Sequence, residues 1–460
     1  MWCGAAASTD PLDRGVPCAA ENGFMLLGAP VGDIPFARQV VHHRIGKIEA
    51  VLDALPSIND AQIEFALLRH CYSLPKLTYC LRTCDSSHLL PAYDHFDSLQ
   101  LSSFSLLIGR QLDAAARTQA FLPVKLGGAG LRSAVLHSSA AFIASTAQTR
   151  PIVGNLLKPE VRRRSLEQAF PSLQLHSGNA TYTSADLLPP NFTQQSLSKE
   201  IDTHQHNILV NEASGRDKAR LLSLSLPHAG DWLDAAPSSS LNLNFDSRSF
   251  GMAMAYRLGL KVFESGDCRA DHCSRQMDEQ GDHALHCQDD HGMKGGRHDR
   301  IRDLVYKEAQ RASLSPTMEM PGLVPGSQSR PADVYIPSWM DGKKTAFDIS
   351  VVSPTQDAIV DRAADSPAAA IDMRKASKCR LHFDQCRAQG IAFYPVVVET
   401  FGGWDSEALK LLKDLARQGA RRWGKTNSEE IKYFFQRLSV SLQRGNSALL
   451  IERDVEPISV

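Results

Sequence analysis

Hydrophobic positions recur along this chain in two rhythms. Over residues 36–150 the spacing is helical. Val41, Ile45, Ile48, Leu52 and Leu55 form one stripe, with Arg44, Lys47 and Glu49 between them, and Ile63, Leu67, Leu68 and Cys71 continue the style. Ahead of this region FMLLGAPVG (24–32) reads as a strand entering a Gly/Pro turn, and residues 1–22 look irregular. LGGAGLRS (126–133) follows no strand and matches no phosphate loop, so it reads as a bend between helices. Residues 173–248 are richer in Ser, Asn, Pro and Thr, and PSSSLNLNFDS (237–247) reads as an exposed connection.

The rhythm changes after residue 296. RHDRIRDLVYKEAQRASL (297–314) predicts an amphipathic helix with Ile301, Leu304, Val305 and Ala309 inward. DVYIPSW (333–339) and TAFDISVVS (345–353) predict two strands, and the Asp-Gly of the intervening MDGKK predicts a hairpin. A helix follows over 366–390, with Ser366 as N-cap, Pro367 in its first turn and Gly390 as its stop. IAFYPVVVETFGG (391–403) supplies another strand, and helices are expected near 405–422 and 427–444. Strands interleaved with helices argue an α/β unit of mixed sheet.

Composition narrows the class without naming a partner. The 460 residues are 43% hydrophobic and 22% charged, with 50 Lys and Arg against 51 Asp and Glu, so any nucleic-acid surface must be a local patch. The N-terminus lacks the basic start and apolar run of a signal peptide, and no stretch approaches the ~20 apolar residues of a membrane helix. A nuclear or cytoplasmic, non-secreted protein is expected, with reduced thiols.

Of the 10 cysteines, Cys268, Cys273 and Cys287 cluster with histidines. The arrangement Cys268-x4-Cys273-x9-His283-x3-Cys287 pairs thiolates and imidazole as tetrahedral zinc prefers. His272 and His286 are alternative ligands, and three unconnected thiols remain the plainer alternative. A closed site of this kind is structural.

Alternation along the two strands sets Val334 and Ile336 with Ala332 on one face, and Asp333 with Tyr335 on the other. Phe347, Ile349 and Val351 likewise oppose Asp348 and Ser350. If both apolar faces join one core, the two carboxylates converge and could hold Mg²⁺ or Mn²⁺. Glu319 is a candidate third oxygen ligand. Lys375 and Lys378, three apart on the next helix, are candidates to orient a water or stabilise charge on phosphorus. Arg297, His298, Arg300 and Arg302 form a basic cluster suited to backbone phosphates. Taken singly, each of these residues also fits an ordinary solvated surface.

In this order the motifs resemble the C-terminal restriction-enzyme-like endonuclease of site-specific non-LTR retrotransposons: the Cys-Cys-His-Cys cluster, Arg-His-Asp (297–299), RPAD, Asp348 after 14 intervening residues, then helix lysines. That family uses a PD-(D/E)xK fold, cuts target DNA and primes reverse transcription from the nick. The resemblance implies Asp333 and Asp348 as metal ligands and Lys375 or Lys378 as the catalytic lysine. The usual lysine two residues after the second acid is replaced by Ser350, and the first loop of the knuckle is long. FMLLGAPVG, SLPKLTYCLRT (73–83), LPVKLGGAGLRS (122–133) and ARLLSLSLPHAGDWLDAAPS (219–238) are similar to the segments that follow the polymerase palm in these proteins.

The implied layout is multidomain: 1–35 the tail of a palm, 36–172 an all-α thumb-like domain, 173–265 a linker with short helices, 266–296 a small zinc knuckle, 297–425 a restriction-endonuclease-like α/β domain, and 426–460 a C-terminal helix. No Tyr-x-Asp-Asp motif occurs, so polymerase activity is not expected. The expectation is a DNA-nicking endonuclease needing Zn²⁺ and Mg²⁺ or Mn²⁺, with template RNA as a further candidate partner and oligomeric state open. The alternatives are a nucleic-acid-binding protein without catalysis and a decayed remnant of such an element.

Overall fold

The computed structural model describes residues 22–153, 159–189, 191–268, 270, 272–287, 292–326 and 330–453. The irregular start expected over residues 1–22 lies, apart from Asn22, outside them. The chain is mostly helical, with one mixed four-stranded sheet.

FMLLGAPVG is a complete hairpin rather than one strand. β1 (Gly23–Leu26) pairs antiparallel with β2 (Ala29–Gly32) through Leu27 and Gly28, both at positive φ (49° and 84°), the turn that matches strand twist. Ten helices follow: α1 (Ile34–Ala54), α2 (Ala61–Cys71), α3 (Thr78–Thr83), α4 (Leu90–Ile108), α5 (Ala114–Phe121), α6 (Ala134–Val153), α7 (Pro159–Ser177), α8 (Gln194–Glu212), α9 (Gly215–Leu224) and α10 (Ser247–Leu258). Asp33, Asp60 and Asp113 cap α1, α2 and α5, each accepting from the amide three residues on. The stripe Val41, Ile45, Ile48, Leu52 and Leu55 is buried as its spacing predicts.

The stretch expected to be an exposed connection is only partly so. Leu241 and Asn242 face solvent, but Leu243 and Phe245 are buried, and Phe245 lies 5.5 Å from the Trp232 ring and 5.9 Å from Phe250. The alternation over Leu243, Asn244 and Phe245 sends the two apolar side chains inward. One continuous core therefore runs from α1, α2 and α4 through Trp232 and α10 to the Cys/His segment. The residues expected to form a linker supply part of that core.

The Cys/His segment holds the two-residue strands β3 (Gly266–Asp267) and β4 (Gln276–Met277) and the short α11 (Asp282–His286). Then come α12 (Met293–Arg311), β5 (Thr317–Met318), β6 (Val334–Trp339), β7 (Lys343–Val352), α13 (Val360–Asp365), α14 (Ala369–Ala388), β8 (Ile391–Glu399), α15 (Ser406–Arg422) and α16 (Asn427–Arg453). The sheet order is β5-β6-β7-β8, antiparallel except for the parallel β7–β8 pair. Met340, Asp341 and Gly342 close the β6–β7 hairpin, all at positive φ. Ser366 does not cap α14. It ends α13, and Ala368 at φ 66° precedes α14.

Both faces of this sheet are covered. Val334, Ile336, Phe347 and Ile349 pack with Ile301, Val305 and Ala309 of α12 and with α15 and α16. Ala332 and Tyr335 pack on the other side with Ala346 and Cys386 of α14, so Ala332 does not share the face of Val334. The acid-bearing face is thus roofed by a helix. At the end of β8, Glu399 is buried against α9, where the Ser223 hydroxyl donates to its carboxylate.

Burial raises the Glu399 carboxyl from 4.5 to about 7. The folded chain keeps this proton where the unfolded chain has lost it, so stability falls as pH rises from 4.5 through about 7. Glu399→Gln, which keeps an acceptor for Ser223, should flatten that fall and leave the variant more stable at pH 8 by at most about 3 kcal/mol. Urea unfolding of both proteins at pH 5 and pH 8 measures this. An unchanged pH slope in the variant contradicts it.

Candidate functional site

Two groups of side chains converge on one side of α12. The first is the Cys/His quartet. Cys268 leaves β3 with its amide bonded to the Arg275 carbonyl (2.8 Å), and a tight turn from Ala270 brings Cys273 back. Asp278 accepts from the amides of Asp282 (2.8 Å) and His283 (2.7 Å), which starts α11 and fixes His283. Gly281 sits at φ 81°, where a Cβ would fall 2.6 Å from Leu450 of α16, so only glycine allows this approach.

Cys268 Sγ and Cys287 Sγ are 3.8 Å apart, Cys273 Sγ and His283 Nε2 3.4 Å, and all ligand atoms of the quartet lie within 4.8 Å of one another. Bonds of ~2.3 Å from a tetrahedral zinc place sulfur ligands roughly 3.8 Å apart. The quartet could therefore bind a metal such as zinc. Burial lowers the His283 pKa and so favours the neutral imidazole that a metal needs. His272 and His286 are outside the quartet.

The second group lies on the sheet. Val334 pairs with Phe347, which sets Asp333 opposite Asp348 across the two strands. Asp333 Oδ2 accepts from the Ile349 amide (2.6 Å) and from His298 Nε2 (3.1 Å), and His298 Nε2 also faces the Ile349 carbonyl at 3.1 Å. With acceptors at both ring nitrogens, Asp333 and then Asp299, the imidazole pKa is raised even against burial. Asp333 Oδ1 has no hydrogen-bond partner among the described residues.

Asp348 is 5% exposed. Its Oδ1 accepts from Lys378 Nζ of α14 at 2.8 Å, while its buried Oδ2 has no partner among the described residues. Burial raises the Asp348 pKa, and Lys378 offsets part of that.

One cavity of about 1100 Å³ reaches both groups: Cys273, His283 and Cys287 line it, as do His298, Asp333, Asp348 and Lys378. Other residues picked from sequence lie elsewhere. Glu319 is not among the lining residues, and its carboxylate is held by Arg302 and Arg330. Lys375 also lies outside. Burial works against its charge, but Asp405 (2.8 Å) and Glu407 (3.3 Å) outweigh it and raise the pKa.

The basic cluster is not a patch. Arg297 is buried, donating to Asn446 Oδ1 (2.8 Å) and the Leu285 carbonyl (3.2 Å), which makes it a tie between α12, α16 and α11. His298 turns to Asp333, Arg302 pairs with Asp299, Asp303 and Glu319, and Arg300 is exposed. The sequence did not single out Arg275, Lys294, Arg330 and Arg374, which do line the cavity. Arg330 was legible in RPAD and Arg374 in MRKASK, but nothing local marked them as facing one space.

The chain matches no protein-family model and no curated protein. Among the described residues no helix is long and apolar enough to cross a membrane.

Purified chain should carry tightly bound zinc by elemental analysis. Cys287→Ser should lower its occupancy at least tenfold against a chelator and loosen α11, read as faster amide exchange there. Equal zinc content in the variant contradicts the quartet.

Proposed function

We propose that the chain is a metal-dependent DNA endonuclease with a structural zinc site. The observation that carries this reading is the acid pair: two carboxylates opposite each other on adjacent strands, that of Asp348 with one buried open oxygen, beside a lysine from the next helix. The buried Asp348 Oδ2 has no donor among the described residues, which is costly, and a hard cation shared with the half-buried Asp333 carboxylate is the partner that fits. Asp333 and Asp348 would hold Mg²⁺ or Mn²⁺. A divalent cation there activates water and stabilises charge on a phosphodiester.

The chain's own groups do the rest. Lys378 holds Asp348 through one oxygen and is the cation placed to orient a water or to offset negative charge developing on phosphorus. His298 and the Ile349 amide fix Asp333. Glu319 and Lys375 have no part in this scheme, because neither lines the cavity and each is held in ion pairs of its own. The restriction-endonuclease-like resemblance agrees, since it implies acids on neighbouring strands of a mixed sheet and a lysine on the following helix. On this reading the zinc site stiffens the segment next to the acids, and DNA is the substrate. Template RNA as a second partner rests on the resemblance alone.

A plasmid-nicking assay on zinc-loaded protein tests the proposal. Nicking should require Mg²⁺ or Mn²⁺, stop in EDTA, and fall at least a hundredfold in Asp348→Ala, with zinc content and circular dichroism unchanged. Retained nicking in that variant removes the acid pair from the mechanism. No nicking by folded, DNA-binding protein leaves a binding function only.

A further inference from the structure

Asp333 and Asp348 both line the cavity, Asp333 half-buried and Asp348 buried. Asp348 is 5% exposed, and its unpartnered Oδ2 has almost no contact with solvent. The walls come from separate parts of the chain: the Cys/His segment, the first turn of α12, the loop after β7, and α14. Arg275 stands on the first wall, Lys294 on the second and Arg374 on the last, and Arg330, paired with Glu319, also lines the cavity. These cations share the cavity with the carboxylates of Asp333, Asp348 and Asp357.

Size and chemistry restrict what can enter. The volume of about 1100 Å³ is near the upper end of the ~300–1,000 Å³ typical of small-molecule sites. With Asp348 only 5% exposed, a single strand threads to the recessed carboxylate more readily than a base-paired duplex does. Among the described residues the lining includes no Phe, Tyr or Trp, and its rings are those of histidines. Its cations would instead follow phosphates, which every sequence carries.

We propose, building on the nuclease reading, that the cavity takes an unpaired polynucleotide strand, held by its phosphates between Arg275 of the Cys/His segment and Arg374 of α14. Duplex DNA then reaches the acids only where its strands are separated. The Cys/His segment is a wall of the substrate site as well as a brace for the fold.

Binding tests this apart from cleavage. The probes are fluorescent oligonucleotides of one sequence, as a DNA strand, an RNA strand and a DNA duplex. Anisotropy is read with zinc-loaded full chain in Ca²⁺, an oxygen-seeking cation that stands in for Mg²⁺. A single strand should bind at least tenfold tighter than the duplex. Its log affinity should fall against log salt with a slope of roughly −3, as four phosphate contacts predict for single strands.

Arg275→Glu with Arg374→Glu, both at exposed positions, should weaken strand binding at least tenfold with zinc content unchanged. The DNA and RNA arms identify which sugar is preferred. Equal or tighter duplex binding, no binding of either strand, or strand binding untouched by the double variant overturns the proposal. Strand preference without any cleavage would remove the nuclease reading and leave the strand site standing.

Discussion

The buried guanidinium of Arg297 is the constraint around which the site is arranged. A guanidinium keeps its proton under all working conditions, so burying it demands acceptors in fixed places. Asn446 of α16 and the Leu285 carbonyl beside the Cys/His quartet supply them. Gly445 leaves the room, since a Cβ there would stand 2.7 Å from Arg297 Cγ. This joint fixes the start of α12 against both the Cys/His segment and the longest helix. The next residue, His298, then reaches Asp333. The separation between quartet and acid pair, and so the cavity they share, follows from that joint.

Further polar side chains of α16 extend the same logic. Gln443 and Asn446 both donate to the Thr400 carbonyl at the end of β8, Ser447 donates to Ser249, and Ser439 receives the Trp232 amide. A buried knot at Asp282 ties the other side, where its carboxylate accepts from Arg216, Tyr256 and Thr355. Such networks hold their parts in one arrangement because each broken bond leaves a buried polar group unsatisfied. Against that rigid frame, the half-satisfied carboxylate of Asp348 stands out. Ser350 Oγ, two residues further along β7, is likewise buried without a partner among the described residues, so two open oxygens lie on this strand.

The local pattern carried much of the secondary structure. The stripe from Val41 to Leu55, the amphipathic α12 and the alternation in β6 and β7 all report burial by periodicity. The spacing of Cys268, Cys273, His283 and Cys287 was enough to collect the quartet. Choices among like residues were not legible. Lys375 and Lys378 share a helix face, and the positions of Asp405 and Glu407, 30 and 32 residues later, draw one of them away from Asp348. Arg297 looks like its neighbours in sequence, because an arginine tied inside the protein and one facing solvent have the same local signature. Glu319 was drawn off by Arg302, a pairing across 17 residues. The hidden Leu243 and Phe245 sat in a polar stretch whose composition outweighed its alternation.

The most direct test of the account is calorimetric titration of Mn²⁺ into zinc-loaded protein, beside Asp348→Asn. Native chain should show a saturable Mn²⁺ site, weakened at least tenfold in the variant, with zinc retained in both. Indistinguishable Mn²⁺ binding by the two proteins would contradict it, and the open oxygens of Asp333 and Asp348 would then not be a metal site.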